Sequence, residues 1–106
     1  MVKRFEVYLV NLDPEPSDNA RNTRPCVIVS PDEMNRNIAN VIVAPLTSTD
    51  KKYPTRIPVD FLNGTRSIVL DQIRAVDRVR LVKKIGEIDE AAGKASLERL
   101  REMFAE

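Results

Sequence analysis

Thr23-Arg24-Pro25-Cys26-Val27-Ile28-Val29-Ser30-Pro31 is the stretch that decides the fold. Cys26 to Val29 is an unbroken apolar run with two valines and an isoleucine, bounded by turn-forming residues. Such a run predicts a strand buried on both faces. Pro25 fixes its own φ and drives Arg24 toward extended backbone. A fully ionised guanidinium is therefore held at the mouth of a core strand. Two readings of Arg24 stay open: a fixed charge serving a site, or an arginine marking where the strand emerges into water.

Working outward, Phe5 to Leu12 is aromatic and β-branched, which predicts a first strand stopped by Asp13-Pro14. Glu15 to Thr23 reads as a long polar loop between two paired strands. Loops of that length carry function more often than short ones. On the other side, Ser30-Pro31-Asp32-Glu33 predicts a helix start, with Ser30 as cap and Pro31 as first helical residue. The helix should end near Asn37. Val41 to Leu46 predicts a second core strand, with Thr47-Ser48-Thr49 at its end.

Tyr53 to Asp60, interrupted by Pro54 and Pro58, predicts an edge strand. Asn63-Gly64 signals a tight turn. Ser67 to Val76 reads as one strand stretch with Asp71 and Gln72 in its middle, where a bulge or a site is expected. Asp77 to Leu81 predicts a turn, and Val82 to Ile88 a final strand broken by Gly86. Asp89 caps a terminal helix to about Phe104, with Leu97, Leu100 and Phe104 on one face to cover the sheet. Short strands with one terminal helix predict a small twisted antiparallel sheet or partly open barrel.

The chain has 106 residues and a formal net charge of +1, so bulk charge does not announce a nucleic-acid binder and any such role needs a local patch. It has no histidine and a single cysteine, Cys26. This leaves no zinc constellation, no histidine-based nucleophile pair and no internal disulfide. Cys26, inside the central strand, reads as a small buried hydrophobe. No apolar stretch is long enough for a bilayer span and no leader is apparent, so the expected compartment is the cytoplasm.

Three polar groups stand at strand ends: Arg24, Thr47-Ser48 and Asp71-Gln72. With them the chain resembles the MazF/PemK (Kid) family of toxin endoribonucleases. The resemblance rests on Val7-Tyr8-Leu9-Val10-Asn11-Leu12-Asp13-Pro14 and on Thr23 to Pro31 with Asn35 beyond. It continues through Val43-Ala44-Pro45-Leu46-Thr47-Ser48, Lys52-Tyr53-Pro54 and Asp71-Gln72-Ile73-Arg74-Ala75-Val76-Asp77. It implies a mainly β (α+β) fold: a small SH3-like antiparallel β-barrel with short helices and a C-terminal helix, as one domain over residues 1–106. It also implies a homodimeric toxin of a type II toxin–antitoxin system. Its activity would be that of an mRNA interferase, an endoribonuclease cutting single-stranded RNA without metal or other cofactor. A cognate antitoxin with an acidic, disordered tail would fill the RNA groove. By position, Arg24 and Thr47 match the family's catalytic pair, while Ser48, Asp71 and Gln72 match groove positions. The gyrase-poisoning toxins of the same fold (CcdB) act through a tryptophan-containing tail, and this chain has no tryptophan.

The chemistry follows from the residues. Without a metal, the accessible route is attack of a ribose 2′-OH on its own phosphate, leaving a 2′,3′-cyclic phosphate and a 5′-OH. A planar guanidinium binds two oxygens of the pentacoordinate transition state, and a neighbouring hydroxyl donates to another. Asp71 is either a general base or a strand carboxylate held by backbone amides or Arg74. In the loop, Ser17 and Asn19 stand where the family has a glycine and a glutamate. An amide cannot serve as base, so a weakened relative that binds RNA or antitoxin without efficient cleavage is the alternative.

Overall fold

The computed structural model describes residues 1–14, 22–48 and 52–106. The central apolar run becomes strand β2 (Thr23–Ile28), flanked by β1 (Glu6–Asn11) and β3 (Asn40–Thr47) in an antiparallel meander. β4 (Arg56–Phe61), β5 (Gly64–Val69), β6 (Arg74–Asp77) and β7 (Leu81–Glu87) follow; α1 (Asp32–Asn37) joins β2 to β3, and α2 (Glu90–Met103) comes last. The strand order is β4-β5-β3-β2-β1-β7, with β6 also paired to β3. β4 is thus at an edge, where Pro58 is tolerated.

β3 changes partner partway along. Asn40 to Val43 pair with β6, whereas Leu46 and Thr47 pair with β5. Both partners share one edge, because β2 holds the other along Val43 to Pro45. Ala44 and Pro45 stand at this fork, where the missing N–H of a proline costs the ladder least. From β6 the chain passes through a 3₁₀ turn, Arg78–Arg80, into β7, which pairs with β1. So short a link draws the outer strands together and curls the sheet into a half-barrel.

Two guanidiniums in that turn hold the curl. Arg78 donates to the carbonyls of Asn35 and Ile38 at the end of α1. Arg80 donates to the carbonyls of Asn11, Asp13 and Pro14, where β1 leaves the sheet. Charge-assisted bonds of this kind are among the stronger ones.

Side chains alternate across a strand, so the curled sheet carries a core on each face. Val7, Val27, Val29, Ala44, Leu46, Ile57, Val59, Ile68 and Leu70 form one, roofed by α2 through Ala92, Leu100 and Met103. Val10, Cys26, Ile28, Val41, Val43 and Val76 form the other, with Tyr8, Leu12 and Leu81 against it. β2 contributes to both, with Val27 fully buried on one side and Ile28 on the other. Each such side chain stabilises by about 1.5–3 kcal/mol.

Four local expectations are corrected. The Ser67–Val76 stretch is not one strand: a 3₁₀ turn at Leu70–Gln72 divides β5 from β6, because Leu70 turns into the first core while Asp71 and Gln72 stay exposed. Ser30 does not cap α1; its hydroxyl donates to Asn35 Oδ1 at 2.6 Å and accepts from the Ile42 amide at 3.0 Å, buried beneath the helix. The tight turn is centred on Leu62 and Asn63, with φ of 52° and 58°, and Gly64 already pairs with Phe61. Positive φ at both central residues is the type I′ geometry that suits a hairpin's twist. Finally, Phe104 does not cover the sheet: it follows α2 and is 73% exposed.

Candidate functional site

β2 and β3 are paired at Cys26↔Pro45, Val27↔Ala44 and Ile28↔Val43. Continuing that register by two residues sets Arg24 against Thr47. Arg24 is also opposite Val10 in β1, and Thr47 is opposite Ser67 in β5. Residues directly opposite across a sheet share a face. Arg24 and Thr47 therefore lie together on the face that carries Cys26, Ile28 and Val43, at the open end of the second core. Both are half-buried, and Ser48 is exposed one residue beyond.

Arg74 joins the same face from β6, opposite Val43. Burial pushes the Cys26 thiol up to about 11, while the cations of Arg24 and Arg74 act on it in the opposite direction. Cys26 thus stays a neutral thiol at pH 7, donating to the Arg24 carbonyl at 3.7 Å. A cleft lined by Arg74 and Arg80 opens beside the carbonyl end of β1. The root of the loop is closed by Leu12 N–H donating to the Asn22 carbonyl at 2.8 Å and Asn22 N–H to Asp13 Oδ1 at 3.0 Å. Asn19, Ser17, Arg21 and Lys51 lie outside the described residues.

Asp71 stands apart from Arg24. Its carboxylate accepts from Thr55 Oγ1 at 2.8 Å and lies 3.6 Å from Arg56 Nε. The Thr55 hydroxyl above all, helped by the Asp71 backbone amide and by Arg56, outweighs the cost of burial and holds the Asp71 carboxyl below its ordinary range. The guanidinium carbon of Arg56 lies 4.8 Å from the centre of the Tyr53 ring. Arg56 is opposite Val69, and the next residue of that face, Pro58, is opposite Ser67. This cluster therefore occupies the face of Thr47, two strands across. Gln72 is exposed at the end of the turn. Arg24, Thr47 and Ser48 thus form one group, and Asp71 with Thr55, Arg56 and Tyr53 a second.

Residues 3–104 match the family of PemK-like, MazF-like toxins of type II toxin–antitoxin systems. The chain belongs to that family. A curated relative, Endoribonuclease MazF of Staphylococcus epidermidis, is 33% identical over 97 residues, covering 86% of this chain and 81% of its own. Among solved structures, a mycobacterial endoribonuclease in complex with its cognate antitoxin superposes with a TM-score of 0.82 at 24% identity, covering 96% of this chain and 93% of that one. A MazE–MazF complex from Deinococcus radiodurans gives 0.80 at 19% identity, covering 98% and 95%. The half-barrel with its terminal helix is thus the MazF fold.

In this MazF-like chain, sequence alone assigns no site role to Thr55, Arg56 or Ser67, and Tyr53 figures there only as a strand start and within a family motif. Pairing of Thr55 with Asp71 spans 16 residues, and no local spacing signals it. Among the described residues, no group of three or more His, Cys, Asp or Glu is placed to hold a metal ion, and no helix is long and apolar enough to cross a membrane.

Proposed function

We propose that this MazF-like toxin is an endoribonuclease that cuts single-stranded RNA at short sequence motifs without a metal. The ribose 2′-OH attacks the adjacent phosphorus as its proton leaves. The P–O5′ bond breaks, the 5′ oxygen takes up a proton, and a 2′,3′-cyclic phosphate and a 5′-OH remain. Carrying this reading is the placement of Arg24 opposite Thr47 on one sheet face. A guanidinium and a hydroxyl there converge on different oxygens of the same phosphoryl group and stabilise charge that grows only in the transition state. Ser48 and Gln72 line the groove. Asp71, held ionised, serves it by fixing Arg56. As a toxin it works in the cytoplasm as a homodimer of one-domain chains and is silenced by an antitoxin whose acidic, disordered tail occupies the cationic face of Arg24 and Arg74.

The test is mapping of 5′-OH ends after incubation with mixed RNA in excess chelator. Wild type should give discrete ends, and Arg24→Ala the same ends at least about a hundredfold more slowly. A second reading, a weakened relative that binds RNA or antitoxin without efficient cleavage, is favoured by Ser17 and Asn19 in the loop. In that case Asn19→Glu, above all combined with Ser17→Gly, raises a low rate, because a carboxylate restores the proton acceptor that an amide lacks.

A further inference from the structure

Five aromatic residues occur in the chain, three phenylalanines and two tyrosines. Phe5 and Phe61 pack against the first core and Tyr8 against the second. Phe104 sits beyond the end of α2. Phe104, though more exposed, belongs to the helix end, whereas Tyr53 is 49% accessible and stands next to β4, whose outer face continues that of Thr47.

That ring is held in place. Arg56 approaches it at 4.8 Å, within cation–π range. Arg56 has little freedom of its own: its side chain is 15% exposed and is drawn toward Asp71, which Thr55 holds in turn. Backbone bonds fix the ring's root. The Tyr53 carbonyl accepts from the Arg56 amide at 3.0 Å, and the adjacent Pro54 carbonyl accepts from the Arg99 guanidinium of α2. Pro54 also confines Tyr53 to extended backbone. A half-exposed tyrosine fixed by so many contacts is pre-organised, so little ordering entropy is spent when something stacks on it.

We propose that Tyr53, braced by Arg56 and Asp71, is a stacking platform for an unpaired nucleobase of the RNA, next to the bond that is cut. This rests on the endoribonuclease reading above. From Thr47 the register crosses β5 to β4, about 10 Å at two strand spacings, and Arg56 lies two residues along from Pro58, so that the two positions are roughly 12 Å apart. A nucleotide flanking the cleaved phosphate spans that distance. Stacking on an aromatic ring tolerates every base, and a guanidinium behind the ring adds a cation to an otherwise neutral contact. Tyr53 would thus hold the strand while Arg24 and Thr47 act on the phosphate.

The experiment uses the full chain and a short single-stranded RNA centred on the mapped cleavage site. The cleaved nucleotide carries a 2′-deoxyribose, so that binding is read without cleavage. Flanking nucleotides are replaced one at a time by an abasic unit, and affinity is measured by fluorescence anisotropy. Wild type should lose about five- to a hundredfold at one abasic position. Tyr53→Ala should lose the same factor on intact RNA and nothing further at that position, whereas Tyr53→Phe should stay within about twofold. The thermal midpoint of each variant is measured in parallel, and each must be fully folded at the assay temperature, since Tyr53→Ala also removes the contact with Arg56. Additive losses at every position, or wild-type affinity in Tyr53→Ala, overturn the platform while cleavage by wild type stands. If wild type cuts no RNA, the cleavage reading fails. Affinity for a mixed pool of single-stranded RNA then decides the platform: Tyr53→Ala must still weaken it, and equal affinity rejects it.

Discussion

The Asp71 carboxylate accepts a hydrogen bond from the Thr55 hydroxyl at 2.8 Å, and Arg56 Nε lies 3.6 Å away. These contacts stabilise the charged form, so the carboxyl titrates below its ordinary range. An acid of that kind is a poor proton acceptor near neutrality. Asp71→Asn is therefore expected to raise KM by loosening Arg56 and Tyr53, while the shape of the kcat–pH profile between pH 5 and 8 stays as in wild type. A fall in kcat in Asp71→Asn, with the acid-side limb of the profile lost, would instead make Asp71 the base.

Arg24 and Thr47 should separate by chemistry rather than by size. Arg24→Ala and Thr47→Val are each expected to cost about 10²–10³ in kcat, the usual loss for one pre-organised donor. Arg24→Lys should stay impaired, because a point charge does not reproduce two parallel contacts. Thr47→Ser should keep most of the rate. Single-turnover cleavage of one mapped site decides this, with circular dichroism melts showing that each variant is folded.

Gly93 tests the packing of α2 on the sheet. Alanine favours a helix interior over glycine by about 0.8–1.0 kcal/mol. Here its Cβ would lie 2.6 Å from the Phe5 ring. The Phe5 backbone is fixed, since its amide donates to the Ile28 carbonyl at 2.7 Å and its carbonyl accepts from the Ile88 amide at 3.0 Å, so relief must come from the ring alone, which packs against the first core. Overpacking of this kind costs about 1–3 kcal/mol and outweighs the propensity gain. Gly93→Ala should lower the urea midpoint; a rise would show that the ring has another place to go.

Glu6 sets part of the acid stability. It is 7% exposed, with Lys84 Nζ at 2.7 Å and the Lys3 amide donating at 2.7 Å. Burial works to raise its carboxyl, but Lys84 and the Lys3 amide together outweigh it and hold it below its ordinary value. Because the folded value is the lower one, the contribution is complete above the unfolded pKa of about 4.3 and is lost as pH falls through the folded value. Glu6→Gln is expected to cost about 1–2 kcal/mol at pH 7 and to flatten the decline of stability below pH 5. Urea titrations at pH 7, 5 and 3 check both.

Much of the frame is legible from periodicity. The apolar run through Ile28 is buried on both faces, and Pro58 of β4 lies at an edge, as chain chemistry alone dictates. Ser30 was misread because a buried hydroxyl finds a tertiary partner, Asn35, that outcompetes local capping. The Ser67–Val76 stretch was misread because Leu70 needs the first core and the chain must turn to put it there. As for the site, Arg24 and Thr47 were marked by resemblance, but their common face appears only once β2 and β3 are in register. Arg56 carried no signal, since its meaning depends on Tyr53 and Asp71 meeting it from two other segments.

The five acceptors that Arg78 and Arg80 grip, at Asn11, Asp13, Pro14, Asn35 and Ile38, are all main-chain carbonyls. Every residue type supplies a carbonyl, so this fastening does not read the side chains of the segments it holds. The loop that leaves β1 can therefore exchange its side chains over evolutionary time while its root stays anchored. Such an arrangement uncouples the composition of the loop from the stability of the half-barrel that carries it.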